Sequence, residues 1–180
     1  MGRILHAGLL GLLGAAIVHI AVLLLLPAIT EKDAWSRLAD VRGLFALVPI
    51  SGQQGEERLL RLTDPYFEAA ACRFDLTEGL ARVHASGRIP YWSISIYDRS
   101  GQNIYSFNDR STASGDLDLL VLSPVQMMEL RKNLPGQFEQ SVFVETPVEE
   151  GMVVVRGFAP DPSWKPTVAA YVKSVTCTAE

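Results

Sequence analysis

The chain has 180 residues, 48% hydrophobic and 20% charged, with a formal net charge of −4. Mean hydropathy is +0.18, and the excess is local: Met1–Thr30 holds 21 of the hydrophobic residues and one charge, Arg3. This composition excludes a disordered chain, a collagen-like repeat, a polytopic transporter and a disulfide-dense mini-protein. The remaining 150 residues suffice for one hydrophobic core.

From Ile4 to Ile29 no residue carries a formal charge. As a helix this stretch reaches about 39 Å, enough for a hydrocarbon core of about 30 Å. It exceeds the apolar core of a cleaved signal and lacks an Ala-x-Ala site, so an uncleaved membrane anchor is expected. Arg3 precedes the span while Glu31, Lys32 and Asp33 follow it. Positive residues favour the cytoplasmic side, which places the tail inside and the rest in the bacterial periplasm. Ala7, Gly11 and Ala15 recur every four residues and His19 continues the row. Small residues at that spacing form a helix–helix packing face, and an ionisable group within it faces a protein partner rather than lipid. The competing reading is ordinary membrane composition with a tolerated neutral histidine.

All 20 acidic and 15 of the 16 basic residues lie beyond Thr30. The acidic excess offers no basic patch, so nucleic acid is not an expected partner. Trp35, Leu38, Val41, Leu44 and Phe45 keep helical spacing and predict a juxtamembrane helix from Trp35 to Leu47. Pro49–Glu57, with Gly52 and Gly55, reads as linker. The expected organisation is residues 1–30 tail and anchor, 31–58 juxtamembrane helix and linker, and 59–180 a β-rich domain.

Beyond Leu59 the period becomes two. Tyr91–Tyr97 alternates, Asp98-Arg99-Ser100-Gly101 supplies a turn, and Asn103–Phe107 returns as a second strand. Further strands are expected at Cys72–Leu76, Ala81–Ala85, Leu117–Leu122, Ser141–Glu145 and Met152–Phe158. Ser123-Pro124 opens a helix running to Leu134, and Ser163–Val175 carries an apolar stripe of Trp164, Val168, Tyr171, Val172 and Val175. The fold class is therefore α+β: mainly an antiparallel β-sandwich or partial barrel with two or three short helices, plus one N-terminal transmembrane helix.

The hairpin carries a resemblance. Trp92-Ser93-Ile94-Ser95-Ile96-Tyr97-Asp98, then Gly101 and Tyr105-Ser106-Phe107-Asn108-Asp109-Arg110, resembles the paired bacterial domain-of-unknown-function families 1254 and 1214. Cys72-Arg73-Phe74-Asp75-Leu76 before it, and Val155-Arg156-Gly157-Phe158 with Pro160-Asp161 after it, resemble the short membrane-anchored version. That version is similar to alphaproteobacterial proteins often encoded beside a sister protein. The likeness covers about Asp64–Cys177 and implies a jelly-roll-like, β-rich fold in the envelope, without an established activity.

Cys72 and Cys177 are the only cysteines, and an even count in an oxidising compartment favours a disulfide over two separate thiols. No nucleophile elbow, His-Glu-x-x-His, phosphate loop or calcium loop is present. His84 is the only histidine outside the span, so no histidine metal cluster and no cofactor are expected. Asp98 and Asp109 are the candidate catalytic carboxylates, of glycosidase type, although turn-end aspartates more often bond the local backbone. Asp75, Asp98, Asp109, Arg110 and Arg156 are alternatively candidates for a polar network on the sheet. Tyr91, Tyr97 and Tyr105 are candidates for an aromatic ligand shelf, where strand aromatics are usually packing. The leading expectation is an envelope protein that binds a ligand, self-associates or works with a sister membrane protein. The alternative is a jelly-roll enzyme acting on envelope carbohydrate or lipid.

Overall fold

The computed structural model describes residues 2–29, 34–51, 64–112 and 115–180. The chain forms two units, Met1–Asp33 and Ala34–Glu180. The first contains α1, Gly2–Ile29. Its Gly2–Leu25 segment is long and apolar enough to cross a membrane.

The second unit begins with α2 (Ala34–Val41) and β1 (Leu47–Pro49). The expected helix thus stops at Val41 rather than Leu47. Beyond Gly43 the chain turns, and Phe45 takes a left-handed φ of 53° while its N–H donates to the Arg73 carbonyl. Leu47–Pro49 then pairs with a neighbouring strand, so sheet hydrogen bonds override helical spacing. Pro49, Ile50 and Ser51 belong to this sheet edge, while the rest of the expected linker and the Leu59 boundary lie outside the described residues.

Two sheets follow. The five-stranded sheet has the order β1, β2 (Phe67–Asp75), β8 (Glu150–Phe158), β4 (Trp92–Asp98), β5 (Asn103–Asn108), all antiparallel. The four-stranded sheet has the order β7 (Val142–Glu145), β6 (Leu117–Leu122), β3 (Ala81–Ala85), β9 (Thr176–Ala179). Here β6 and β7 run parallel and the other pairs antiparallel. Helix α3 (Pro124–Lys132) connects the parallel strands, as a crossover must. It opens with a full capping box, Ser123 and Gln126 each bonding the other's backbone.

Between the sheets lies the main core, with Phe74, Trp92, Ile94, Ile96 and Val153 from one side and Val83, Leu117, Leu119 and Val121 from the other. Helix α4 (Lys165–Ser174) closes one end through Val168, Tyr171 and Val172. Gly157 permits that closure, because a Cβ there would stand 2.6 Å from Val168. The disulfide joins Cys72 on β2 to Cys177 on β9, with Cα atoms 6.5 Å apart, and so ties the two sheets together.

The central strands β2 and β8 are buried on both faces. Ala69 and Ala71 are small enough to let Leu38 of α2 seat against them, with Val48, Met152 and Val154 around it. Leu38 is fully covered, and burying such a side chain stabilises by about 1.5–3 kcal/mol. Trp35 adds a cationic clasp, with the Arg73 and Arg99 guanidinium carbons 4.5 and 4.6 Å from its ring centre.

Candidate functional site

Alternation along β4 sends Trp92, Ile94 and Ile96 into the core and Ser93, Ser95 and Tyr97 to the outer face. Register aligns them with neighbours of matching direction: Ser93 with Arg156, Ser95 with Ser106, Tyr97 with Asn103. The Arg156 side chain runs along β4. Its Nη1 donates to Ser95 Oγ and its Nη2 to Tyr97 Oη, both at 3.4 Å. Ser106 Oγ donates to Ser95 Oγ at 3.0 Å, and Asn103 Nδ2 donates to Ser106 Oγ at 2.9 Å. Farther along, Asn108 Nδ2 donates to Tyr91 Oη at 3.4 Å. The result is an open polar face rich in hydroxyls, amides and one guanidinium. Burial opposes ionisation of Tyr97, but hydrogen bonds from Arg156, Ser95 and Asn103, with the Arg156 charge, outweigh it. The phenol therefore lies below the ordinary tyrosine value.

Of the sequence candidates, this face gathers Tyr91, Tyr97 and Arg156. Tyr105 pairs with inward-facing Ile96, and its ring lies 6.1 Å from that of Phe107. It therefore sits on the other side of β5 and completes no shelf. Arg110 is exposed in the short 3-10 turn Asp109–Ser111, where its backbone N–H donates to Asn108 Oδ1. Asp75 accepts from Thr77 N and Oγ1 at 2.9 and 2.6 Å and shapes the turn after β2.

Asp98 and Asp109 are not brought together. Asp98 ends β4 and Asp109 follows β5, so they stand at opposite ends of the hairpin, roughly 17–20 Å apart along the strands. A glycosidase pair needs about 5–9.5 Å. Asp98 Oδ1 accepts from Ser100 Oγ at 2.7 Å and Gln102 N at 2.8 Å, around Gly101 at φ 86°. Those bonds, the Ser100 hydroxyl first, hold its carboxyl below the usual carboxylate range. Asp98 thus locks a turn as a stable anion. Asp109 Oδ1 and Tyr171 Oη are buried without hydrogen-bond partners among the described residues. Burial, then the charges of Asp116 and Asp109, push the Tyr171 phenol far above its ordinary value.

On α1, Ala7, Gly11, Ala15 and His19 form an exposed row, with open space over Gly11. Among the described residues, no three His, Cys, Asp or Glu side chains group to hold a metal ion.

Two features escaped the reading of the sequence. On the outer side of the four-stranded sheet, Arg82 grips Asp118 with two bonds of 3.0 and 3.1 Å. Ser141 Oγ donates to the same carboxylate at 2.7 Å, and His84 Nδ1 lies 3.8 Å from it. These partners make Asp118 a brace between the strands and the loop that precedes β7. The second is an apolar groove of about 470 Å³ between α3 and β7, lined by Met127, Leu130, Leu134 and Phe143 with Arg131 and Glu145. Away from the groove on α3, Val125 and Met128 are each 61% exposed, and β7 is the terminal strand of its sheet. Its sequence signal was legible: Val125 and Met128 share one helical face, Met127 and Leu130 another, and only one face can meet the sheet.

A solved structure shares the fold. The VPA0106 protein of Vibrio parahaemolyticus matches at a TM-score of 0.58 and 10% identity, over 81% of this chain and 34% of that one. An uncharacterized protein from Burkholderia cenocepacia matches at a TM-score of 0.45 and 14% identity, over 76% of this chain and 34% of that one. The chain thus spans about a third of the length of these proteins. No curated protein matches it. The hairpin, the Arg156-Gly157 pair and both disulfide cysteines all fall within residues 69–179, which match the model of a protein of unknown function, DUF1254, and the chain belongs to that family.

Proposed function

We propose that the protein is a single-pass inner-membrane protein of the bacterial envelope, its amino terminus cytoplasmic and its β-rich domain periplasmic. In this reading the domain is an interaction module for a sister membrane protein. The apolar helix α1, Arg3 on its leading flank and a disulfide suited to an oxidising compartment support the placement. The Ala7–Gly11–Ala15 row supports helix pairing within the membrane.

The observation that carries the partner reading is the α3–β7 surface. Leu134, 42% exposed, lines the apolar groove with Met127, Leu130 and Phe143, and Met128, 61% exposed, extends the apolar surface onto the adjoining face of α3. Apolar side chains concentrated in this way mark a surface that another protein covers. The outer edge of β7 offers backbone groups to an added strand, and the groove offers a seat for its side chains.

The test is cross-linking and affinity purification of the full chain from detergent extracts, wild type against Met128→Asp with Leu134→Asp. A membrane protein that cross-links to the wild type and is lost from the variant is the expected result. Equal recovery from both overturns the partner reading. A carboxyl-terminal tag inaccessible to protease in spheroplasts overturns the orientation.

A further inference from the structure

Two arginines have carboxylate partners, while Arg73 is held under an aromatic ring with its Nε lacking a hydrogen-bond partner among the described residues. Arg82 pairs with Asp118 and Arg99 with Glu150. Arg73 lies under Trp35 and donates to the Arg42 carbonyl at 2.9 Å. Arg156 differs. It is half-buried on the outer face of β8, yet its two bonds are to neutral oxygens at 3.4 Å, the long limit of hydrogen bonding. Among the described residues no carboxylate lies within ion-pair distance of its guanidinium. A cation partly withdrawn from water without a counter-charge is costly, and the cost falls when an anion arrives.

The surroundings favour such a guest. Beside the guanidinium the second amide hydrogen of Asn103 and the Tyr97 hydroxyl remain to donate, while Ser106 spends its O–H on Ser95 and holds the hydrogen-bonded row together. A guanidinium fork matches the planar geometry of carboxylate and phosphate oxygens, and charge-assisted bonds to them are about twice as strong as neutral ones. We propose that Arg156, with Tyr97, Ser95, Ser106 and Asn103, forms a binding site for a small oxyanion, the carboxylate or phosphate group of a ligand. Asn103 and Ser106 are exposed while Ser95 is buried beneath them, so the anion reaches the guanidinium from the β5 side. The lowered phenol of Tyr97 is consistent with a face that already favours negative charge. The inference does not depend on the partner reading, since this site and the α3–β7 groove lie on opposite outer faces of the sandwich.

The experiment uses the full chain in detergent micelles and two probes, inorganic phosphate and D-glucuronate, which separate a phosphate source from a carboxylate source. Amide spectra are followed during each titration. The expected result is a saturable shift confined to β4, β5 and β8 with at least one probe. Arg156→Gln should weaken it about tenfold or more, and Arg99→Gln should leave it unchanged. The Tyr97 ring titration supplies a second readout. Arg156→Gln raises its pKa in the free protein, and bound probe raises it in the wild type, because an adjacent anion opposes the phenolate. Absence of a saturable shift with both probes at tens of millimolar overturns the proposal. So does a shift that Arg156→Gln leaves intact. Partner capture that survives in Arg156→Gln while the oxyanion is lost separates the two readings.

Discussion

Removing the disulfide should be the most damaging pair of substitutions in the domain. Cys72 and Cys177 lie 105 positions apart in sequence, so their bond closes a loop that includes most of both sheets. In the chain-entropy model a loop of about 100 residues restrains the unfolded chain by about 4.7 kcal/mol at 25 °C. Domains are stable by about 5–15 kcal/mol in total, so this is a large share. Cys72→Ala with Cys177→Ala, preferred to serine because both sites are buried, should lower the midpoint of thermal unfolding by roughly 9–19 °C, at about 2–4 °C per kcal/mol. The assay is circular dichroism of the full chain in detergent, paired with amide exchange. A change below about 1 kcal/mol, with protection lost only in β9, would refute the reasoning. It would mean that the bond pins the last strand to the sandwich without constraining the unfolded domain.

Three further outcomes follow from individual contacts. Gly151→Ala places a Cβ 2.5 Å from the Tyr97 carbonyl and 2.6 Å from Phe74; with backbone on one side and a fully buried ring on the other, chemical denaturation should show a loss of roughly 1–3 kcal/mol. Tyr171 has a folded pKa above its ordinary 10.0, so its contribution is complete below about pH 10 and declines as pH rises beyond it. Tyr171→Phe, which also removes an unpartnered buried hydroxyl, should leave stability at pH 7 equal or higher and weaken the alkaline decline; an unchanged decline would be contrary. Asp98 is depressed, so its contribution is present above the ordinary carboxylate value and fades as pH falls through the lower folded one. Asp98→Asn should flatten that acid limb in a urea-midpoint series and loosen the exchange of the Gln102 amide.

Much of the local structure was legible because local rules decide it. The Tyr91–Phe107 hairpin announced itself by alternation around a turn with Gly101, and its strands are found at Trp92–Asp98 and Asn103–Asn108. The helix after Ser123 followed from its cap. Short elements were missed where local and distant forces disagree. Leu47–Pro49 continued a helical spacing, yet it pairs with Ala70–Cys72. Thr176–Ala179 is mostly exposed and shows little alternation, yet it closes the four-stranded sheet beside β3. The candidate site was half visible: Arg156 reads as a network residue and Tyr97 as a shelf residue, but Asp75 is taken up by the turn at Thr77 and register puts Tyr105 on the other side of β5.

By itself the sequence determined what depends on neighbouring residues: an apolar run long enough to span a membrane, a hairpin, a capped helix and two cysteines with no other partners. Only the tertiary structure decided which faces meet. Register separates Asp98 from Asp109, sets Arg156 across from Ser93 and beside Tyr97, and leaves the α3–β7 groove open. These are pairings between segments tens of residues apart, and their energy comes from burying surfaces against each other. No window along the chain contains both sides of such a contact.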